Sequence, residues 1–373
     1  MKVAIIVPGG VDRSGTHRVI PCLLWLIERL AREHELHVFT LFGETCTSEY
    51  PLLGATVHTI DRRSLKLNAF KTILAQHRRR PFDVIHAFWA RPAGALAAVV
   101  GRLVGRPVLL HLAGGELLAL PAIRYGGRLT ARGRALVRIG LWGAARVTAA
   151  CPAMIAEAAK LGVAAERLVL GVDLESWPVA PLRRRTAGTP ARLIHVASLN
   201  RVKDQGTLLR AMDRLRRCHL DFHLDIVGED TLHGEMQRLA ESLSLGACVT
   251  FRGFLPHAEL RPVFERADLL VVSSLHEGGE VVTLEAAAAG VPAVGTSVGH
   301  IAAWAPEAAV AVPVGDFDAM AGAVMELLSD EDRRLAVARE AQRRAIANDA
   351  DATALRVNAI YRELVTARRR RRS

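Results

Sequence analysis

Aromatic side chains make up only 5% of this 373-residue chain. That is too few to supply the stacking platforms that hold single-stranded nucleic acid, and no base-reading module accompanies the basic charge, so nucleic acid is not an expected partner. Long apolar runs are also missing. Arg102 and Arg106 interrupt the richest region, Ala93 to Leu112, well short of the roughly 18 residues a membrane span needs. The opening run Val3 to Val7 is too short for a signal-peptide core, lacks a small-residue cleavage site, and reads as a first buried strand. The five cysteines, Cys22, Cys46, Cys151, Cys218 and Cys248, form no C-x-x-C pair, and their odd number argues against a disulfide framework. A reducing, cytoplasmic setting is expected. The spacing G-x-G-x-x-G is absent from the glycine-rich loop Pro8 to Thr16, and Val38 to Phe42 end the second strand without the acid that a dinucleotide's ribose needs. NAD binding is disfavoured. The loop, with Ser14 and Gly15, is either a plain turn or a place where backbone approaches another ligand.

Half of the residues are hydrophobic, and the length exceeds one ordinary core, so two domains are expected. Short β-branched runs alternate with Ala/Leu/Arg-rich segments of helical period, the pattern of an α/β fold with parallel sheets covered by helices. Strands are expected near 2–7, 35–41, 54–60, 83–87, 107–112 and 145–149, with helices over 16–33, 67–79, 92–104 and 131–143. The pattern then repeats. Strands are expected near 192–197, 222–227, 248–252, 268–272, 292–295 and 309–312, and helices over 205–217, 232–245, 257–266, 281–290, 316–329 and 331–347. Between the halves, Trp177 to Pro190 holds three prolines and an arginine triplet and reads as a linker. The expected division is 1–176, a linker 177–190, 191–350, and a last segment 351–373. Ligands in such sheets sit at the carboxyl ends of the strands, so the interdomain cleft is the default site.

The segment Glu277 to Glu285 holds two carboxylates with seven residues between them, and Gly278, Gly279, Glu280, Val281 and Val282 lie at the junction of a buried strand and a helix. Such a junction aims backbone N–H groups and the positive end of a helix dipole at an anion, and flanking carboxylates can hold hydroxyls on either side of it. A nucleotide sugar has that shape. Arg201 and Lys203 follow the first strand of the second half, where they could neutralise a diphosphate or simply be solvated. Gly228 ends the next strand in a similar loop, and Asp230 could cap the helix after it. Asp316 and Asp318 directly precede a helix, so capping explains them better than a metal site, and no metal is assigned. His111 and Glu116 surround Gly114–Gly115 after the fifth strand; the histidine is either catalytic or a hydrogen-bonded core residue.

A formal charge of +11 implies an anionic partner. Leu117 to Ala156 contains no acid while Arg124, Arg128, Arg132, Arg134, Arg138 and Arg146 accumulate among apolar residues, and Arg368 to Arg372 form a polybasic tail. Both segments suit either an anionic membrane surface or solvent.

Taken together, these residues resemble a known family, the retaining GT-B glycosyltransferases of family four. Ser274 to Gly278 continuing through Glu285-Ala286-Ala287-Ala288-Ala289-Gly290-Val291-Pro292-Ala293-Val294 is similar to its E-x7-E segment. Gly253 to Pro256, Ala267-Asp268, Gly171-Val172-Asp173 and Lys203 support the match across both halves. The resemblance implies two Rossmann-like doubly wound domains facing a cleft, a last helix returning to the first domain, and transfer of a sugar from a nucleotide-diphosphate sugar to an acceptor hydroxyl with retention. It implies no cofactor beyond that donor. Glu277 would contact the donor sugar, Glu285 the ribose, the backbone from Gly279 to Val282 the phosphates, Lys203 the leaving diphosphate, and Ser14–Gly15 the same phosphate from the first domain. Ser198 stands where the family usually has an arginine, which would leave Arg201 beside Lys203. Ala113 stands where many members have a histidine, which leaves the polar role to His111 or Glu116. A lipid-linked glycan, a polysaccharide or a small metabolite could be the acceptor, the basic first half favouring a lipid-linked or envelope glycan precursor, and the protein is expected to be cytoplasmic or peripheral on the membrane's inner face. A nucleotide-sugar epimerase or a silent nucleotide-sugar-binding protein would share these features.

Overall fold

The computed structural model describes residues 1–42, 48–60, 65–186 and 188–370. It divides into two compact units, Met1–Gly171 with Ala350–Ser373, and Val172–Asp349. Cys46, Arg371 and Arg372 lie outside the described residues.

The first unit is built on β1 (Lys2–Val7), α1 (Pro21–Ala31), β2 (Glu35–Thr40), β3 (Ser48–Leu52), β4 (Ala55–Thr59), α2 (Leu65–Arg79), β5 (Val84–Phe88), α3 (Ala95–Val104), β6 (Val108–Leu112), α4 (Ala131–Gly143), β7 (Arg146–Ala149), α5 (Pro152–Lys160) and β8 (Glu166–Arg167). The sheet runs β3-β4-β2-β1-β5-β6-β7-β8. It is parallel except for the antiparallel edge strand β3. Its central strands are near-continuous apolar runs because helices bury both faces. The first helix was expected from residue 16 and begins at Pro21. Gly15 at φ +66° and Arg18 at φ +55° keep the preceding loop out of a helix, and Pro21, lacking an N–H, suits the first helical position.

The second unit comprises β9 (Ala191–Val196), α6 (Gln205–Arg217), β10 (Phe222–Val227), α7 (Glu235–Ser242), β11 (Val249–Gly253), α8 (His257–Arg266), β12 (Leu269–Val272), α9 (Val281–Ala288), β13 (Ala293–Thr296), α10 (Gly299–Trp304), β14 (Val310–Val312), α11 (Phe317–Ser329) and α12 (Glu331–Ala347). The order is β11-β10-β9-β12-β13-β14, and every pairing is parallel. Residues 177–185 of the expected linker 177–190 pack on this unit. Trp177 is buried, the Ala180 N–H donates to the Ala288 carbonyl at 2.9 Å, and Arg183 meets Asp268 at 2.7 Å.

The last helix, α13 (Ala350–Arg370), belongs to the first unit. Asp351 pairs with Arg29 at 2.6 Å, Asn358 bonds His34 at 2.8 Å, and the Tyr361 hydroxyl meets His86 Nδ1 at 2.7 Å. Among the described residues no helix is long and apolar enough to cross a membrane.

Candidate functional site

In the second unit the strand order reverses between β9 and β12. The chain leaving β9 turns to one face of the sheet and the chain leaving β12 to the other, so a crevice opens beyond their carboxyl ends. Two loops, 197–204 and 273–280, border it. Hydrogen bonds join them: the Leu275 N–H donates to the Val202 carbonyl at 2.8 Å, and Ser273 Oγ to the Lys203 carbonyl at 2.7 Å.

Within this seam Lys203 Nζ lies 2.6 Å from Glu277 Oε1, and Ser274 Oγ donates to the same oxygen at 2.5 Å. The lysine side chain keeps 24% of its surface exposed, the glutamate 10%. The loop fixes the lysine from both sides. Asn200 Oδ1 accepts its backbone N–H at 3.2 Å, and Asp204, left-handed at φ +45°, caps α6 through the Thr207 N–H at 3.3 Å. Beneath the pair, His195 Nδ1 donates to the Val271 carbonyl at 2.8 Å, which leaves Nε2 to accept from Gln205. Burial lowers its pKa to about 4, so it is a neutral support.

The turn 277–280 delivers the chain to α9, whose first-turn N–H groups have no side-chain cap. They present the positive end of the helix dipole. Glu280 turns inward: both its oxygens lie 3.1 Å from the His300 N–H, and Thr283 Oγ1 donates to it at 2.9 Å. Burial and the nearby Glu277 charge push its pKa up to about 7. Its carboxylate therefore braces the turn from behind. Gly299, at φ +53°, makes the brace possible, since a Cβ there would sit 1.9 Å from Glu280 Oε2. One helical turn on, Glu285 is buried with His257 Nε2 2.7 Å from its carboxylate. The Trp177 indole donates to the Glu285 carbonyl at 2.9 Å and tilts over the His257 ring at 4.7 Å.

The structure thus brings Lys203 and Glu277 together and sets Gly278 to Val282 and Glu285 along the same turn and helix. It does not bring Arg201 to them. That guanidinium forms a two-pronged ion pair with Glu235, at 2.6 and 2.5 Å, between α6 and α7. Gly228, at φ +152°, lets its turn press against the loop after β9, because a Cβ would meet the Ala197 carbonyl at 2.0 Å. Asp230 accepts the N–H groups of Leu232 and Gly234 ahead of α7, and Asp316 caps α11 through Ala319 at 2.8 Å. Sequence reasoning missed Ser274, His257, Trp177 and His195. Only Ser274 lay within the recognisable segment; the others reach the site by tertiary packing.

The first unit's candidates behave differently. His111 on β6 is buried, bonds Thr148 Oγ1 through Nδ1 at 3.0 Å, and has its pKa lowered to about 3 by burial. The Glu116 oxygens accept the N–H groups of Ala113 at 3.1 Å and Gly114 at 2.8 Å, while burial raises its pKa. Ser14 Oγ accepts from His17 at 3.0 Å, and the N–H groups of Ser14 and Gly15 both donate to Asp12.

Residues 19–172 match the family model "Glycosyl transferase 4-like domain" and residues 190–330 match "Glycosyl transferases group 1". The chain is 35% identical to the glycogen synthase of Mycobacterium tuberculosis, over 47% of this chain and 42% of that one. It is 32% identical to the D-inositol 3-phosphate glycosyltransferase of Corynebacterium urealyticum, over 52% of this chain and 50% of that one. It thus spans about half the length of these curated relatives. Among solved structures it is similar to the sucrose-phosphate synthase of Thermosynechococcus elongatus, with a TM-score of 0.81 at 22% identity over 98% of this chain and 100% of that one. Anabaena HepE in complex with UDP-glucose follows at a TM-score of 0.74 and 16% identity, over 97% and 100%. At these identities the structures speak for the GT-B fold alone.

Proposed function

The chain belongs to the group 1 glycosyl transferases, and we propose that it moves a sugar from a nucleotide-diphosphate sugar to an acceptor hydroxyl with retention of configuration. The observation that carries this reading is the Lys203–Glu277 ion pair standing at the uncapped start of α9. A diphosphate entering there gains the N–H groups of the turn and a lysine charge already held in place. Charge develops on the leaving phosphate as the bond to the sugar breaks, so a fixed cation and fixed dipoles favour the transition state over the ground state.

In this reading Glu277 exchanges its lysine contact for hydroxyls of the donor sugar, and Glu285, oriented by His257, takes the ribose. The bond from the anomeric carbon to the phosphate oxygen breaks as the bond to the acceptor oxygen forms on the same face, and the acceptor's proton passes to the departing phosphate. Glu280 contributes its backbone, since its carboxylate is turned inward. Arg201 would have to leave Glu235 before meeting a phosphate, and Ser14 and Gly15 would have to give up their internal bonds. His111 and Glu116, buried, shape the loop at Ala113–Gly114. Anabaena HepE, which shares this fold, was solved with UDP-glucose, and we propose the same class of donor here. The basic first unit favours an acceptor in envelope glycan, polysaccharide or glycolipid synthesis, with the protein cytoplasmic and peripheral on the membrane.

Lys203→Ala tests the reading. Donor-dependent release of nucleoside diphosphate should fall about a hundredfold or more with the unfolding midpoint nearly unchanged. Near-normal release would overturn the phosphate assignment.

A further inference from the structure

Two separate features of the sequence, the acid-free arginine segment and the basic tail, meet on one surface of the first unit. Helices α3 and α4 lie close together because Gly143 faces Ala98, where a Cβ on the glycine would come within 2.4 Å of the alanine Cβ. The side chains on their outward flanks find no cover. Val99 and Leu103 on α3 are 50% and 62% exposed, and Ile139 and Trp142 on α4 are 44% and 69% exposed. Spacings of four and three residues put each pair on one helix face.

Val99, Ile139 and Trp142 line a shallow groove with Arg102 and Arg106. Through Gly105, Pro107 and Ala145 the groove continues into a second depression lined by Leu364, Ala367 and Arg368 of α13. The Arg368 guanidinium donates to the Gly105 carbonyl at 2.7 Å, which ties the start of the basic tail to the groove. Glu363, the acid on this rim, is paired with Arg146 at 3.0 Å. Arg102 and Arg138 are exposed and meet no carboxylate among the described residues.

We propose that this surface docks on an anionic bilayer, with Leu103 and Trp142 entering the headgroup layer and Arg102, Arg138 and Arg368 pairing with lipid phosphates. The proposal deepens the peripheral placement proposed above and rests on it. An apolar floor edged by Arg102 and Arg138 matches the gradient of an anionic interface, where arginine stems cover apolar surface and their heads reach phosphate. Tryptophan suits that depth, being apolar in body with one polar edge, and here its indole N–H is already turned to the Leu161 carbonyl at 3.4 Å.

Co-sedimentation of the full chain with vesicles of phosphatidylcholine alone, and of equal parts phosphatidylcholine and phosphatidylglycerol, tests this without donor or acceptor. A failure of sugar transfer therefore cannot be mistaken for a failure of docking. Binding is expected only to the anionic vesicles, with a blue shift of tryptophan fluorescence. Trp25, Trp177 and Trp304 are buried and Trp89 half-buried, so the shift should vanish in Trp142→Phe. Arg102→Gln with Arg138→Gln should weaken binding roughly thirtyfold, and Leu103→Asp should reduce it further. Salt-sensitive binding that leaves the fluorescence of Trp142 unchanged would overturn insertion at the groove. So would absence of vesicle binding, or a concentration-dependent dimer abolished by Leu103→Asp.

Discussion

The two sheets share a topology, each reversing its order beside its first strand, yet they treat the polar groups at their carboxyl ends in opposite ways. In the second unit Lys203 and Glu277 are held by loop hydrogen bonds while part of the lysine stays open to a ligand. In the first unit the loops after β1 and β6 turn their polar groups on themselves: Glu116 clamps two backbone N–H groups, and Ser14 closes its own turn. Burial then separates the units again. The first hides several neutral histidines among its strands, whereas the second places a buried carboxyl with a raised pKa, Glu280, directly behind the site. One scaffold is thus used once to expose charge and once to absorb polarity.

The sharpest way to break this comparison is pH. In the first unit burial lowers His58 to about 4 and His111 to about 3, and His86, His37 and His77 are lowered too; the second has His195 at about 4. In each, folding favours the neutral form, and the unfolded chain takes up its proton near 6.5. Their stability contribution is full above that value and is lost as pH falls toward each folded pKa, at about 1.4 kcal/mol per pH unit for each fully buried histidine. Glu116, raised by burial, opposes this in the first unit as a single group. Strands β5 and β6 should therefore lose several kcal/mol of hydrogen-exchange protection between neutrality and about pH 4.5, and β9 and β12 clearly less. Equal losses would erase the distinction between the units.

Two left-handed glycines give a narrower test. At Gly299 a methyl group would strike both Glu280 and Glu277, whereas at Gly15, at φ +66°, nothing lies within 4 Å. Gly299→Ala should cost about 3 kcal/mol, combining backbone strain with a displaced carboxyl, and should impair donor binding. Gly15→Ala should cost about 1 kcal/mol from strain alone. Urea unfolding of both variants checks this, and equal costs would mean that the brace behind the turn yields freely.

How far the sequence displays this follows from the range of the interactions. The E-x7-E segment, the loop of Lys203 and most buried strands are legible because periodicity and turn chemistry act within a few residues. Edge strand β3 was missed because Ser48-Glu49-Tyr50-Pro51-Leu52 has no alternation and contains a proline, tolerated only at an edge. Helix α10 was missed because six residues carry too little period. The Arg201–Glu235 and His257–Glu285 pairs join residues 34 and 28 positions apart, and nothing local announces either. Residues 177–190 read as a linker because their composition breaks periodicity, although Trp177 and Arg183 fasten them to α9 and Asp268.

The smallest expected effect concerns Glu280 and runs opposite to the histidines. Its folded pKa of about 7 stands above the unfolded value of 4.5, so the folded state holds a proton the unfolded chain has released. Its contribution is present below about 4.5 and is lost as pH rises through about 7. Glu280→Gln cannot ionise and keeps an oxygen for the His300 N–H. Between about pH 6 and about pH 8 the native protein should lose roughly 1 kcal/mol that the variant retains. Because the carboxyl faces inward, sugar transfer by the variant should stay within about threefold of native, a barrier change well under 1 kcal/mol. A collapse of transfer with stability intact would show that the Glu280 side chain turns outward to meet substrate, and the brace at Gly299 would then belong only to the ligand-free state.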